Sequence, residues 1–438
     1  MCHHLESRRN RFNRIILKKD VNRMFSLIIT YFTPDQNIVT VFKPVYILLS
    51  IVGLFPYSIK FPKGRHAFKI TRKTFTLHSL CGLAMFVFLC YNCFYKFKTL
   101  ISTINKHRSM NLITHINYFV GIFSRLICDV AIYYYTVRNA KVYVNILQEI
   151  AFRWSELGLV NVNVNVNPIQ RYLHKRLVVA PLLWFLFFLI FRLEIYYAEH
   201  NIFGLGIFLF LPEVITSLVV IFYSSLILLV VGLLKNIEMH CKMLVKMKHG
   251  VCGTNSNDVD NRNSLHHLER TYVKALEIKR EIGKAFETPL AIIICLCFHT
   301  ALRSTHTMYH GLVISKTINY YKIAERSFWI LYPLAKIYVL AYTGNQLQNE
   351  VSKIGETLHN IPTGDQERHC LEVQHFISLM SFHKPEITIY DYFAMDITLF
   401  FSVMAGLVTY VILLVQIDTP PSSTATGFTF VGFRECCL

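Results

Sequence analysis

The 438-residue sequence contains few charged residues: Asp, Glu, Lys and Arg make up 16% of it, against about 25% in ordinary soluble domains. Hydrophobic residues make up 53%. The sequence also lacks GxSxG, HExxH, P-loop and GxGxxG motifs in a plausible setting, and its apolar runs hold no matched set of acids, bases or metal ligands. We therefore expect a membrane protein that is not an enzyme and that binds no cofactor or metal.

The twelve cysteines form no metal-ligand array. Cys90 and Cys93 make a CxxC pair inside an apolar run, where two small span residues are the simpler interpretation. The terminal ECCL is not a prenylation box, because Glu435 stands where cysteine is needed. The basic N-terminal segment has no apolar stretch typical of a secretory signal, so we expect the first span to direct insertion.

Seven apolar runs are long enough to cross a bilayer as helices. They lie near 75–96, 112–137, 177–198, 206–234, 287–312, 327–348 and 394–416. An eighth run, 44–59, is interrupted by Gly53 and Pro56, so at about 1.5 Å per residue its helix is too short to span. The predicted fold is an all-α membrane protein with seven transmembrane helices and a short N-terminal re-entrant or interfacial helix.

Lys and Arg residues are distributed unevenly between the loops. If the N-terminus is cytoplasmic, the cytoplasmic segments hold 33 of them and the opposite side holds 7. This bias predicts a cytoplasmic N-terminus and an extracellular C-terminus, the reverse of a G-protein-coupled receptor. The net charge of +18 then reflects topology and anionic lipid rather than nucleic-acid binding.

Two stretches between the fourth and fifth spans differ in pattern. Residues 253–264 are polar and turn-rich, which predicts a linker. Residues 265–285 carry charges at helical spacing, which predicts a cytoplasmic extension of the fifth span.

Polar residues inside the spans are informative, because lipid makes them costly. Arg125 and Asp129 are one helical turn apart, and we favour a structural pair. Six others are predicted to lie in the outer half of the membrane: Glu213, Arg303, His306, Trp329, Tyr332 and Lys336. Converging aromatic and polar groups are typical of a small-molecule pocket, so these are candidate ligand-binding residues. Alternatively, the aromatic residues form an interfacial belt and the charges pair structurally.

The last apolar run contains polar residues seven positions apart. Ser402, Thr409 and Gln416 therefore share one stripe of a helix. A glutamine amide that faced lipid would cost free energy. The stripe predicts either an aqueous path or helix–helix hydrogen bonds within one subunit, and the spacing leaves both open.

The end of the chain resembles the insect gustatory receptor family, whose seventh helix carries Thr-Tyr, five apolar residues and Gln-Phe. Here the motif reads TYVILLVQI, with Thr409, Tyr410 and Gln416 in place and Ile417 instead of phenylalanine. The preceding HKPEITIYDYFAMDITLFFSVMAGLVTY is also similar to the family's approach to that helix. Seven spans, an internal N-terminus and a short pre-span helix agree over nearly the whole chain.

The resemblance implies a tastant-gated, non-selective cation channel in the plasma membrane of sensory neurons. Four subunits, identical or mixed with related receptors, would place their seventh helices around a pore for monovalent cations and calcium. Gln416 would line that pore near its gate, with Ile417, Thr409, Tyr410 and Ser402 as further pore or gate residues.

The chain is then divided by the roles that the resemblance implies. The segments are a basic cytoplasmic N-terminus (1–43), a short membrane-associated helix with a basic loop (44–74), a six-helix ligand-binding bundle (75–348) with a cytoplasmic extension (235–286), a cytoplasmic anchor (349–393), the pore helix (394–416) and an extracellular tail (417–438). The mainly aromatic outer halves favour a bitter or broad-range tastant over a sugar. An odorant receptor subunit that needs a co-receptor, a transporter and a metabotropic receptor are the alternatives.

Overall fold

The computed structural model describes residues 42–55, 57–60, 69–71, 127–158, 203–249, 257–309, 311–312, 320–361 and 367–418, together with six positions between 84 and 94. The predicted N-terminal segment before residue 42, most of the first span, the first part of the second span, the third span and the tail beyond residue 418 lie outside the described residues. So does Arg125, and with it the predicted pair with Asp129.

Helices make up most of the described chain. They are α1 (Lys43–Ile51), α2 (127–138), α3 (Ala140–Gly158), α4 (Phe203–His249), α5 (Asn257–Tyr309), α6 (Tyr320–His359), α7 (Glu367–Phe382) and α8 (Ile397–Asp418). The short strands form two antiparallel pairs. β1 (Ser58–Lys60) pairs with β2 (Lys69–Thr71), and β3 (Thr388–Ile389) pairs with β4 (Phe393–Ala394). Helices α4, α5 and α6 pack on one another at the centre, and α8 packs on α5 and α6.

Helices α4 and α5 are much longer than a bilayer requires. They contain 47 and 53 residues, whereas a membrane helix needs about 20. Within the described chain, two helical segments are long and apolar enough to cross a membrane, Glu213–Val245 and Leu265–Tyr309, and Ile397–Leu413 of α8 is apolar but shorter. The predicted sixth span lies inside α6.

The predicted helical extension over 265–285 is confirmed, because it forms part of α5. The linker predicted over 253–264 is wrong from residue 257 onward, where α5 begins. Asn and Asp favour the first positions of helices as well as turns, so a polar, turn-rich composition does not separate a loop from a helix start.

The short N-terminal helix α1 has nine residues, as its interrupted apolar run predicts. Gly53 follows it with a φ of 77°, a left-handed conformation that glycine adopts readily after a helix. The Phe42 and Phe55 rings lie 5.8 and 6.1 Å from that of Phe222 on α4. The Tyr133 hydroxyl donates to the Gly53 carbonyl over 3.3 Å, so the turn after α1 is bonded to α2.

A proline inside α5 explains how α3 is fixed to the bundle. Pro289 has no N–H, so the carbonyl of Ala285, four residues earlier, lacks its usual intrahelical donor. The Asn139 amide and the Tyr143 hydroxyl donate to that carbonyl instead, over 2.7 and 3.3 Å. The Tyr143 ring also lies 4.7 Å from that of Phe286, so polar and aromatic contacts meet at one point of the core.

The segment 383–396 contains β3 and β4, and we call it the docked hairpin. Its turn places Tyr390 and Asp391 at φ values of 50° and 56°, and the Tyr392 N–H donates to the Ile389 carbonyl over 3.0 Å. Two successive left-handed residues are the signature of a type I′ turn, which asparagine and glycine usually supply. The Thr388 hydroxyl donates to the Asp391 carboxylate over 2.9 Å, which favours this conformation locally.

Helix α5 holds the docked hairpin through its polar side chains. The Glu287 carboxylate accepts the Tyr390 N–H over 2.6 Å, and the Thr288 and Tyr390 hydroxyls are also 2.6 Å apart. The Lys279 ammonium donates to the carbonyl oxygens of Lys384 and Glu386 over 3.1 and 2.9 Å. Lys279 lies in the predicted cytoplasmic extension and is only 8% exposed.

The environment of Lys279 both destabilises and stabilises its charged form. Burial lowers the pKa of its ammonium, and the neighbouring Arg280 charge lowers it further, while the Glu386 carboxylate opposes both. The bonds to the two hairpin carbonyls compensate the charged form for its lost water.

Replacing Lys279 by methionine should lower the stability of the protein by about 2 kcal/mol, because two carbonyl acceptors lose a charged donor. The apparent melting temperature of the detergent-solubilised protein measures this. Lys274→Met is the matched control: its ammonium pairs with Glu277 at 2.6 Å, but both side chains are more than a third exposed. Equal losses in the two variants would show that Lys279 does not anchor the docked hairpin.

Candidate functional site

A cavity lies between α2, α4, α5 and α6, and its empty volume, which includes space open to the outside, is about 360 Å³. Both polar and apolar side chains line it. The polar ones are Asp129, Glu213, Thr216, Thr300, Tyr332 and Lys336, and the others are Ile293, Leu296, Cys297, Trp329 and Pro333. Each of the four helices therefore contributes lining residues to the cavity.

A buried ion pair crosses this cavity from α4 to α6. The Lys336 ammonium lies 2.6 Å from a Glu213 carboxylate oxygen, and the two side chains are 8% and 7% exposed. The same ammonium donates to the Thr216 hydroxyl over 2.9 Å and lies 4.5 Å from the centre of the Tyr332 ring. Opposite charge, a hydroxyl and a ring face together compensate an ammonium that is removed from water.

Tyr332 forms a second connection between the same helices. Its hydroxyl shares a short hydrogen bond with the Ser217 hydroxyl on α4. Its ring stacks on Phe328 with centres 5.6 Å apart, and Trp329 packs edge-on against Phe328. Pro333 removes the donor that the Trp329 carbonyl would have within α6. The cavity is therefore bounded by aromatic rings on the side of α6.

The structure brings four of the six predicted ligand residues together: Glu213, Trp329, Tyr332 and Lys336 line one cavity. Arg303 and His306, farther along α5, are not among its lining residues. Asp129, predicted as half of a structural pair, does line it.

Sequence reasoning left structural pairing of the charges open as an alternative, but it did not match Glu213 with Lys336 and it missed Thr216. One signal could have found the ion pair. Glu213 is the only charged residue in the predicted fourth span and Lys336 the only one in the predicted sixth, and their charges are opposite.

Helix α8 packs on the bundle through one side only. Leu399 and Leu407 are buried, and Phe400 and Val403 pack beside them. At 100° per residue, the stripe of Ser402, Thr409 and Gln416 lies on the opposite side of the helix, and all three are exposed in the single subunit.

The other motif residues of α8 have different positions. The Thr409 hydroxyl donates to the Ala405 carbonyl of its own helix over 3.0 Å. The Tyr410 ring lies off the polar stripe, 5.8 Å from that of Phe298 on α5. Ile417 belongs to the last turn of α8.

Among the described residues, no group of three or more His, Cys, Asp or Glu side chains could hold a metal ion.

A family model fits the sequence over almost the same extent as these helices. The model of the 7tm chemosensory receptor family matches residues 42–419. The chain belongs to this family. The resemblance to insect chemoreceptors that was drawn from TYVILLVQI is therefore confirmed, and the receptor belongs to a class of membrane proteins.

The fold of the receptor is similar to that of a solved insect olfactory receptor, OR5 from Machilis hrabei, with a TM-score of 0.62 at 11% identity. The structure of OR5 in complex with eugenol gives a TM-score of 0.59 at 12% identity. Each comparison covers 86% of this chain and 97% of the olfactory receptor. No curated protein sequence matches the receptor. At this level of identity the likeness shows the helical fold alone.

Removing either partner of the ion pair should destabilise the receptor strongly, by on the order of 3 kcal/mol, because the other charge remains buried. Glu213→Gln and Lys336→Met should each lower the apparent melting temperature more than the double variant does. Double-mutant analysis of the melting temperatures measures the coupling.

Lys353→Met is the matched control on the same helix, because Lys353 pairs with Glu350 at 2.7 Å but its side chain is 50% exposed. Exposed pairs contribute about 0–1 kcal/mol, so its effect should be small. Additive losses at Glu213 and Lys336 would contradict a stabilising pair.

Proposed function

We propose that the receptor is a gustatory receptor subunit of a tastant-gated, non-selective cation channel, in which α8 lines the pore. The direction of the polar stripe on α8 carries this proposal. Ser402, Thr409 and Gln416 are exposed on the side of α8 that faces away from the described helices, so the packing of those helices does not cover the stripe. Because a glutamine amide in lipid is costly, the stripe faces water or other copies of α8.

In a rotationally symmetric assembly the stripe would face both water and other copies of α8. In a closed ring of subunits, here a homotetramer or a heterotetramer with related receptors, equivalent stripes meet around one axis. Phe401 and Val408, which are 63% and 55% exposed, then contact neighbouring subunits or lipid beside the pore. Monovalent cations and calcium pass along the axis, and Ile417 supplies bulk for a hydrophobic constriction near Gln416.

The cavity between α2, α4, α5 and α6 is the ligand site in this proposal. Its aromatic wall and its few converging polar groups suit a compact, partly apolar compound. A bitter or broad-range tastant fits this chemistry better than a sugar. The structure of OR5 with eugenol supports the assignment, since a protein of this fold has been solved with a small molecule.

The topology follows from the Lys and Arg distribution. The N-terminus, the 235–286 extension and the 349–393 anchor are cytoplasmic, and the 417–438 tail is extracellular. The cell type is a sensory neuron and the compartment its plasma membrane. An epitope tag after Leu438 that antibodies reach only in permeabilised cells would refute this orientation.

Thiol labelling tests the pore directly. In patches held at a fixed voltage, the charged reagent MTSET should block current in Gln416→Cys and Thr409→Cys, because both side chains would line the conduction path. Val408→Cys is the control, since Val408 is also exposed in the single subunit but lies off the stripe. Unmutated receptor sets the background from its twelve cysteines. Equal block at residues 408 and 416 would contradict the assigned pore face.

An odorant receptor subunit is the second candidate, and the likeness of the fold to OR5 favours it. The receptor should be expressed in cells without other chemoreceptors, alone and with an olfactory co-receptor, and calcium imaging should screen bitter compounds and sugars. A gustatory receptor that assembles as a homotetramer should respond when expressed alone. Responses that appear only with the co-receptor would support the odorant alternative.

A further inference from the structure

The backbone of α6 touches the segment that leads into α8 at one glycine. A Cβ atom added to Gly344 would overlap the carbonyl oxygen of Met395 and lie 2.9 Å from its carbonyl carbon. Because Gly344 has no side chain, the two backbones are in direct contact. Such a contact is stiffer than one between flexible side chains, since neither partner can rotate away.

Met395 lies at the end of the docked hairpin, two residues before the start of α8. Its N–H donates to the Ile387 carbonyl over 2.7 Å, which fixes it to the hairpin. The next residue, Asp396, accepts the Thr398 and Leu399 N–H groups over 2.9 and 3.4 Å and so caps the first turn of α8. A displacement of Met395 therefore moves the start of α8.

Helix α6 also carries the cavity residues. Lys336 precedes Gly344 by eight residues, which is about 12 Å along a helix, and Tyr332 lies one turn farther. At its other end, the docked hairpin is held to α5 by Lys279 and Glu287. A shift of α6 relative to α5 therefore acts on the hairpin at Met395 and is resisted at α5.

We propose that Gly344 is the coupling residue through which α6 transmits occupancy of the cavity to α8. This inference rests on the proposed channel function. The absent side chain brings α6 into contact with the Met395 carbonyl, so α6 pushes directly on the base of the pore helix. Gly344 touches neither the ligand nor the permeant ions, and it acts by positioning α8.

Alanine substitutions at two glycines of α6 provide the test. Gly344→Ala must displace the Met395 carbonyl, whereas Gly355→Ala meets only the flexible end of Met380, at 3.7 Å. Both changes raise helix propensity equally, so a difference between them reports the contact. The readouts are spontaneous sodium current per surface-labelled receptor and the rate at which MTSET labels Gln416→Cys.

Gly344→Ala should change at least one readout about fivefold or more, the lower end of ordinary allosteric couplings, and Gly355→Ala should leave both unchanged. The effect of Gly344→Ala should also be non-additive with that of Tyr332→Phe, although the effects of distant substitutions normally add. Wild-type values for Gly344→Ala, or additivity with Tyr332→Phe, overturn the coupling role while leaving the channel intact.

Two further outcomes can be distinguished from failure of the coupling role. If Gly344→Ala fails to reach the surface, Thr288→Val loosens the docked hairpin from the α5 side by removing the bond to the Tyr390 hydroxyl. This variant must then change the same readouts, and wild-type values overturn the proposal. If the wild-type receptor conducts no current and MTSET does not label the Gln416→Cys variant, the channel function itself is refuted.

Discussion

The ammonium of Lys279 bonds two backbone carbonyls of the docked hairpin, and the position of α8 relative to the other helices depends on this anchor. Helix α8 packs on α5 and α6 along a single narrow face. Its start is fixed instead through the hairpin, by bonds to α5 and by the contact with Gly344 of α6. Polar bonds at the base therefore orient an otherwise apolar helix whose polar stripe faces outward from the subunit.

The same physical rule governs the rest of the bundle: a buried polar group must find a partner. Pro289 deprives the Ala285 carbonyl of its helical donor, and Asn139, directly before α3, and Tyr143 of α3 supply two donors in its place. The ammonium of Lys336 meets the Glu213 carboxylate, a hydroxyl and a ring face. These bonds tie neighbouring helices together at two levels, one near the predicted cytoplasmic boundary and one at the cavity.

Helix α6 contributes residues to both ends of the proposed mechanism, the cavity and the start of α8. Residues 329–336 supply the aromatic wall and the ammonium of the cavity, and Gly344, two turns farther along, touches the segment before α8. A ligand can shift gating only by binding one state more tightly than the other. A helix shared by the proposed ligand site and the base of the proposed pore helix is a direct physical means for that difference in affinity to reach the proposed pore.

The sequence by itself determined the features that depend on local composition. Apolar runs predicted helices where the structure has α4, α5, α6 and α8, the broken run at 44–59 predicted the short α1, and TYVILLVQI pointed to the family. It determined only part of the site: the single opposite charges of Glu213 and Lys336 suggest a pair, but only the structure shows that these residues, 123 positions apart, meet. The tertiary structure alone decided that Arg303 and His306 do not line the cavity and that the stripe through Gln416 faces away from its own subunit. These two results depend on where along a helix, and on which side of it, the neighbouring helices pack. The periodicity of one helix contains no information about the positions of its neighbours.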